Sequence, residues 1–144
     1  AQGDAAAAAF RANLDYACDR AGDVTILIEP LNHHDAPGYF MSRAEEAAAI
    51  IEELARPNLR LMFDCYHQQV MGGDVTRRLE RFLPITGHVQ IAAVPDRGTP
   101  DHGELDYRHI LTVLDSMGWD RPIGAQYRDP RPTDETLGWL TALR

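Results

Sequence analysis

Apolar residues recur along this chain with two alternating periods. Between Asp4 and Arg20, Phe10, Leu14 and Ala17 fall at helical spacing, so the segment reads as a helix. Asp23 to Glu29 is a short β-branched run and reads as a strand. Pro30 to Met41 holds Asn32, Asp35, Pro37 and Gly38, which predicts a long loop. Ser42 to Glu45 has the form of a capping box and opens a helix through Leu54, with Ala48, Ile51 and Leu54 on one face.

The pattern then repeats. Leu59 to Asp64 is a second strand, and Asp74 caps a helix through Phe82. His88 to Val94 is a third strand, followed by a Pro/Gly/Asp loop to Gly103 and a helix from Tyr107 to Met117. Pro122 to Tyr127 is the last strand, and Thr133 caps a final helix to Leu143. The order is α(βα)₄ with strands that are continuous apolar runs, the signature of a parallel sheet covered by helices. An open doubly wound sheet and part of a barrel both fit this α/β order. The 144 residues form one domain by length, with no internal linker.

Polar residues recur at one structural position. Glu29, Asp64, Gln90 and Gln126 each stand near the C-terminal end of a strand, 35, 26 and 36 residues apart. The repeat of a typical barrel is about 31 residues per βα unit. Side chains alternate along a strand, so Glu29 shares a face with Thr25 and Leu27, opposite Ile26 and Ile28. The apolar face meets the helices, and the polar set turns the other way. A single acid at a strand end is more often a cap or a loop anchor. Four oxygen-bearing side chains in phase tip the balance toward a site. Two carboxylates and two amide oxygens suit a hard cation, Mg²⁺ or Mn²⁺.

Composition narrows the classes. Hydrophobic residues at 44% and charged residues at 25% indicate a globular chain rather than a disordered one. A net charge of -8 argues against nucleic acid, which needs a basic patch. No apolar run is long enough for a bilayer, so no membrane partner is expected. Cys18 and Cys65 lack metal-ligand spacing, and a reduced, cytoplasmic protein is expected. His33, His34, His102 and His109 read as surface histidines, His88 as a core histidine, Glu104 as a loop anchor or lid residue, and Trp119 and Trp139 as core or interface.

Several stretches together resemble hydroxypyruvate isomerase and the 2-oxo-tetronate isomerases, which are xylose-isomerase-like TIM barrels. They are Ile28-Glu-Pro-Leu-Asn32, Pro37-Gly-Tyr-Phe40, Phe63-Asp-Cys-Tyr-His67, Gly87-His-Val-Gln-Ile-Ala92 and Gly103-Glu-Leu-Asp-Tyr107. The resemblance spans roughly Phe10 to Leu143 and implies the C-terminal half of a (β/α)₈ barrel. It implies metal ligation by Glu29, Asp64, Gln90 and Gln126, with Glu29 and Gln126 at the two catalytic positions. The family has Glu where Gln126 stands, and an amide ligates through oxygen but exchanges no proton. His67 matches a substrate-contacting histidine and Arg97 a substrate-anion ligand. The implied substrate is a small sugar acid, isomerised through a cis-enediolate. Two alternatives stand beside it: a ketose 3-epimerase, in which His is expected at position 90, and a non-catalytic metal or sugar-acid binding protein. Apurinic endonucleases of the same superfamily need a His-rich zinc cluster, which is lacking. A half barrel leaves its inner face bare, so either a missing N-terminal half or self-association is expected.

Overall fold

The computed structural model describes residues 3–143. Helix α1 (Gly3–Ala21) leads into strand β1 (Ile26–Ile28). Helix α2 (Ala44–Leu54), strand β2 (Leu59–Asp64), helices α3 (Cys65–Gly72) and α4 (Val75–Phe82) and strand β3 (Thr86–Ile91) follow. Helix α5 (Tyr107–Ser116), strand β4 (Ile123–Ala125) and the short helix α6 (Trp139–Ala142) complete the chain. The strands form one parallel sheet in sequence order, β1-β2-β3-β4. Among the described residues β1 and β4 are therefore open edges.

The core lies on the helix side. Ile28, Leu59, Leu61, Phe63, Val89 and Ile91 from the strands pack with Ala47, Ile50, Ile51, Leu79, Phe82, Ile110 and Leu114 from the helices. At about 25 cal/mol per Å² of apolar surface removed from water, this layer is the main stabilising element. The other face of the sheet holds Leu27, Arg60, Met62, His88 and Gln90, all half-buried. Gly87 on that face has no space for a side chain: a Cβ there would lie 2.6 Å from Leu27 Cδ2 and 2.8 Å from Arg60 Cβ.

Several expectations are corrected. Strand β2 stops at Asp64 as expected and turns directly into α3, an unexpected helix. Asp64 is its N-cap, accepting the Tyr66 N–H through Oδ1 at 2.9 Å. Seven residues from Cys65 to Met71 without Gly or Pro were the available signal. The capping box lies one residue later than expected. Glu46, not Glu45, accepts the N–H groups of Ser42 and Arg43 at 2.8 and 2.9 Å, while Glu45 pairs with Arg78 at 3.0 Å. The face α2 buries is accordingly Ala44, Ala47, Ile50 and Ile51. Asp74 precedes α4 in a left-handed conformation without a side-chain cap bond. The third strand begins earlier, at Thr86, and ends at Ile91, because the backbone of Ala92 and Ala93 turns to bond Tyr107 and Gly98 instead. Strands β1 and β4 pair over only three residues each, which leaves Glu29 and Gln126 just beyond the strand ends. The final helix is broken into a 3₁₀ turn (Thr133–Thr136) and α6.

Candidate metal centre

The sheet register brings the polar strand ends together. Asp64 and Gln90 are direct neighbours across β2 and β3. Asp64 is fully buried, because its position is both the end of a central strand and the start of a helix. Its Oδ1 caps α3, and its Oδ2 is left free to face the mouth of the sheet.

His67 lies one turn into α3, with Nε2 at 3.7 Å from Asp64 Oδ2 and 3.7 Å from Glu29 Oε1. One donor atom from each of Glu29, Asp64 and His67 lies within 4.8 Å of the other two. Four buried atoms here have no hydrogen-bond partner: Glu29 Oε1, Asp64 Oδ2, His67 Nε2 and Gln90 Oε1. Orphaned buried polar atoms are costly, and two unpartnered carboxylate oxygens brought together, with the unpartnered Gln90 amide oxygen on the neighbouring strand position, fit a hard cation.

The electrostatics agree with that fit. Burial pushes Glu29 up to about 7, helped by the negative charge of Asp64 and opposed by Arg97. Burial pushes Asp64 up to about 6 against the Tyr66 N–H and the charge of Arg97. Two carboxylates held this high lack the positive charge that would let both ionise easily.

His67 is fixed in one tautomer. The Asn32 backbone N–H donates to Nδ1 at 3.1 Å, and the Asn32 side-chain nitrogen lies 2.7 Å from the same atom. The amide cannot be turned over, because Asn32 Oδ1 already accepts the N–H groups of His34 and Asp35 at 3.0 and 2.9 Å. Nδ1 is therefore an acceptor, and the single ring proton sits on Nε2. Burial, then Arg97, push the imidazole down to about 4, so it is neutral. In this form Nε2 carries the proton, is free to donate a hydrogen bond, and has no lone pair for an ion. Glu29, Asp64 and Gln90 are thus the candidate oxygen donors for an ion, with His67 beside them.

The remaining expected residues lie around this group. Arg97 has a positive φ of 57° and a side chain only 12% exposed. Its Nη2 reaches Asp64 Oδ2 at 3.6 Å and donates to Gln126 Oε1. The Gln126 oxygen is thus engaged by Arg97, and Gln126 itself is exposed. Arg97 also donates to Asp35 at 3.2 Å and lies over the Tyr66 ring at 4.9 Å from its centroid. Asp35, Tyr66 and Asn32 were not among the residues expected at the site. The Asx turn that Asn32 makes was the one local signal.

The model of the xylose isomerase-like TIM barrel family matches residues 1–143. The chain belongs to that family. A 2-oxo-tetronate isomerase from Cupriavidus necator is 45% identical over 92% of the chain and 52% of its own length. The hydroxypyruvate isomerase of Escherichia coli is 33% identical, again over 92% of the chain and 52% of its own. A Brucella melitensis structure described as an AP endonuclease, family 2, superposes with a TM-score of 0.87 at 40% identity. It is matched over 94% of this chain and 53% of that one. This family member thus spans about half the length of the curated relatives it matches. Its four-stranded parallel sheet with helices on one face is a partial TIM barrel. No helix among the described residues is long and apolar enough to cross a membrane.

Proposed function

We propose that the chain is the C-terminal half of a metal-dependent isomerase that interconverts a small 2-oxo acid and its aldehyde isomer, of the hydroxypyruvate or 2-oxo-tetronate type. The observation that carries this reading is the group of unpartnered oxygens at Glu29, Asp64 and Gln90, with the neutral His67 donor between the two carboxylates. The relatives named as isomerases support the class.

Moving a carbonyl between adjacent carbons requires a proton to leave one carbon and reach the next. A bound Mg²⁺ or Mn²⁺ would polarise the substrate oxygens and stabilise the enediolate charge. Glu29, a carboxylate of this group, would take and return that proton. His67 Nε2–H is placed to donate to a substrate oxygen, and Arg97 to hold the acid group. Gln126 accepts from Arg97 and exchanges no proton at neutral pH, so the second proton-transfer position is filled by an amide. Gln at position 90, where His is expected of an epimerase, favours the isomerase over a ketose 3-epimerase. The charge of -8 disfavours the endonuclease chemistry named for the Brucella structure.

The open edges and the inner face are covered in the working protein, either by a preceding half or by a second copy of the chain. The protein works in the cytoplasm. Incubating the chain with hydroxypyruvate and Mn²⁺, and following tartronate semialdehyde by NMR, tests the reading. Metal-stimulated conversion is expected; Mn²⁺ binding without conversion would leave the chain a metal and sugar-acid binding protein.

A further inference from the structure

Arg97 is an unusual anion receiver, because its guanidinium already holds a carboxylate. Asp35 Oδ2 accepts from Arg97 Nη1 at 3.2 Å and from the Tyr66 hydroxyl at 2.9 Å. These two donors form a built carboxylate receptor, with the Arg97 side chain 12% exposed. It borders the metal centre, since the same guanidinium reaches Asp64 Oδ2 at 3.6 Å. The positive charge of Arg128, on the loop after β4, also acts on Asp35.

Asp35 enters this receptor from the long loop between β1 and α2, residues 29–43, which has no strand or helix of its own. Its backbone is held by the Asn32 side chain, and its carboxylate by Tyr66 and Arg97 with help from Asn32. A cavity of about 400 Å³ opens beside it, lined by His34, Tyr66, Gln69, Val94 and Glu104 among others. The side chain thus has somewhere to go when displaced.

We propose that the substrate's carboxylate takes the place of the Asp35 carboxylate on Tyr66 and Arg97, so that Asp35 is a tethered competitor for the acid group. This rests on the small-acid reading given above and adds to it a regulation of affinity. A tethered carboxylate is present at high effective concentration, and a free acid must outcompete it. Asp35 then sets a floor on the concentration at which acids enter, and a neutral sugar gains nothing from displacing it.

The test is calorimetric titration of the full chain with tartronate, which cannot isomerise, in the presence of Mn²⁺. Asp35→Asn and Asp35→Ala are expected to bind tartronate at least fivefold more tightly, and Tyr66→Phe more weakly. A residue that merely anchored Arg97 would give the opposite sign, with binding lost in the Asp35 variants. Unchanged or weaker binding in both variants, with tartronate still bound by the parent chain, overturns this proposal and leaves the small-acid reading standing. No tartronate binding by the parent chain or any variant removes both.

Discussion

Asn32 grips His67 twice at the same ring nitrogen, through its backbone N–H and its side-chain amide. The two residues come from different βα units, 35 positions apart. The contact therefore ties the loop after β1 to the first turn of α3 and decides which ring nitrogen bears the proton. The first prediction follows directly. In ¹⁵N-resolved NMR of the imidazoles at pH 7, His67 Nε2 is expected to be protonated and Nδ1 bare. Asn32→Ala should mix the tautomers; a proton on Nδ1 in the parent chain would return His67 to the ligand set.

Metal binding should depend on pH in a defined direction. Glu29 stands at about 7 against an ordinary 4.5, and Asp64 at about 6 against 3.8. Raised folded-state values mean that their protonated forms favour the fold. That contribution is complete below about pH 4 and declines as pH rises through 6 to 7. Each amounts to roughly 3 kcal/mol, less than additive because the two carboxylates interact. His67 acts oppositely: its contribution is complete above its ordinary value of 6.5 and is lost as pH falls through about 4. A cation that needs both carboxylates ionised offsets the loss at high pH. Mn²⁺ should raise Tm by several degrees at pH 8 and hardly at all at pH 5. Equal shifts at both would argue against Glu29 and Asp64 as its ligands.

Asp64 has two duties that one substitution separates. In Asp64→Asn an oxygen remains to accept the Tyr66 N–H, while the charge on the ion side is gone. The metal-free variant should melt at or above the parent at pH 8, with its Mn²⁺ shift abolished. Asp64→Ala loses the cap too and should be about 1 kcal/mol less stable than Asp64→Asn. Thermal melts of the three proteins with and without Mn²⁺ check both statements.

Gln126→Glu should add a third carboxylate at the mouth and a proton carrier at the second catalytic position. Tighter Mn²⁺ binding is expected, with hydroxypyruvate turnover raised by ~10²–10⁴. Equal rates for the two forms would show that Gln126 does not limit the chemistry.

Sheet edges give the last prediction. Sedimentation of the 144-residue chain, 16.1 kDa, should show a dimer rather than a monomer. A stable, well-dispersed monomer would mean that the inner face needs no second copy.

The legible part of this molecule was whatever depends on periodicity. The α(βα)₄ order, the two-sided strands and the strand-end positions of Asp64 and Gln90 follow from alternation alone. Helix α3 escaped because Asp64 serves both the strand and the helix, leaving no turn residues between them. The ordered contacts of Asp35, Tyr66 and Arg97 escaped for another reason. They join residues 31 and 62 positions apart, and no local pattern encodes a meeting of that kind. The tautomer of His67 was likewise set by a neighbour 35 residues away rather than by its own surroundings in sequence.

Gly87 carries a consequence for descent. Leu27 and Arg60 fill the space above it, from two other strands, so bulk at 27 and its absence at 87 are a single choice made at two places. A lineage that gains a side chain at 87 must first trim 27 or swing 60 aside. Across relatives these three positions should therefore change together, as one inherited unit.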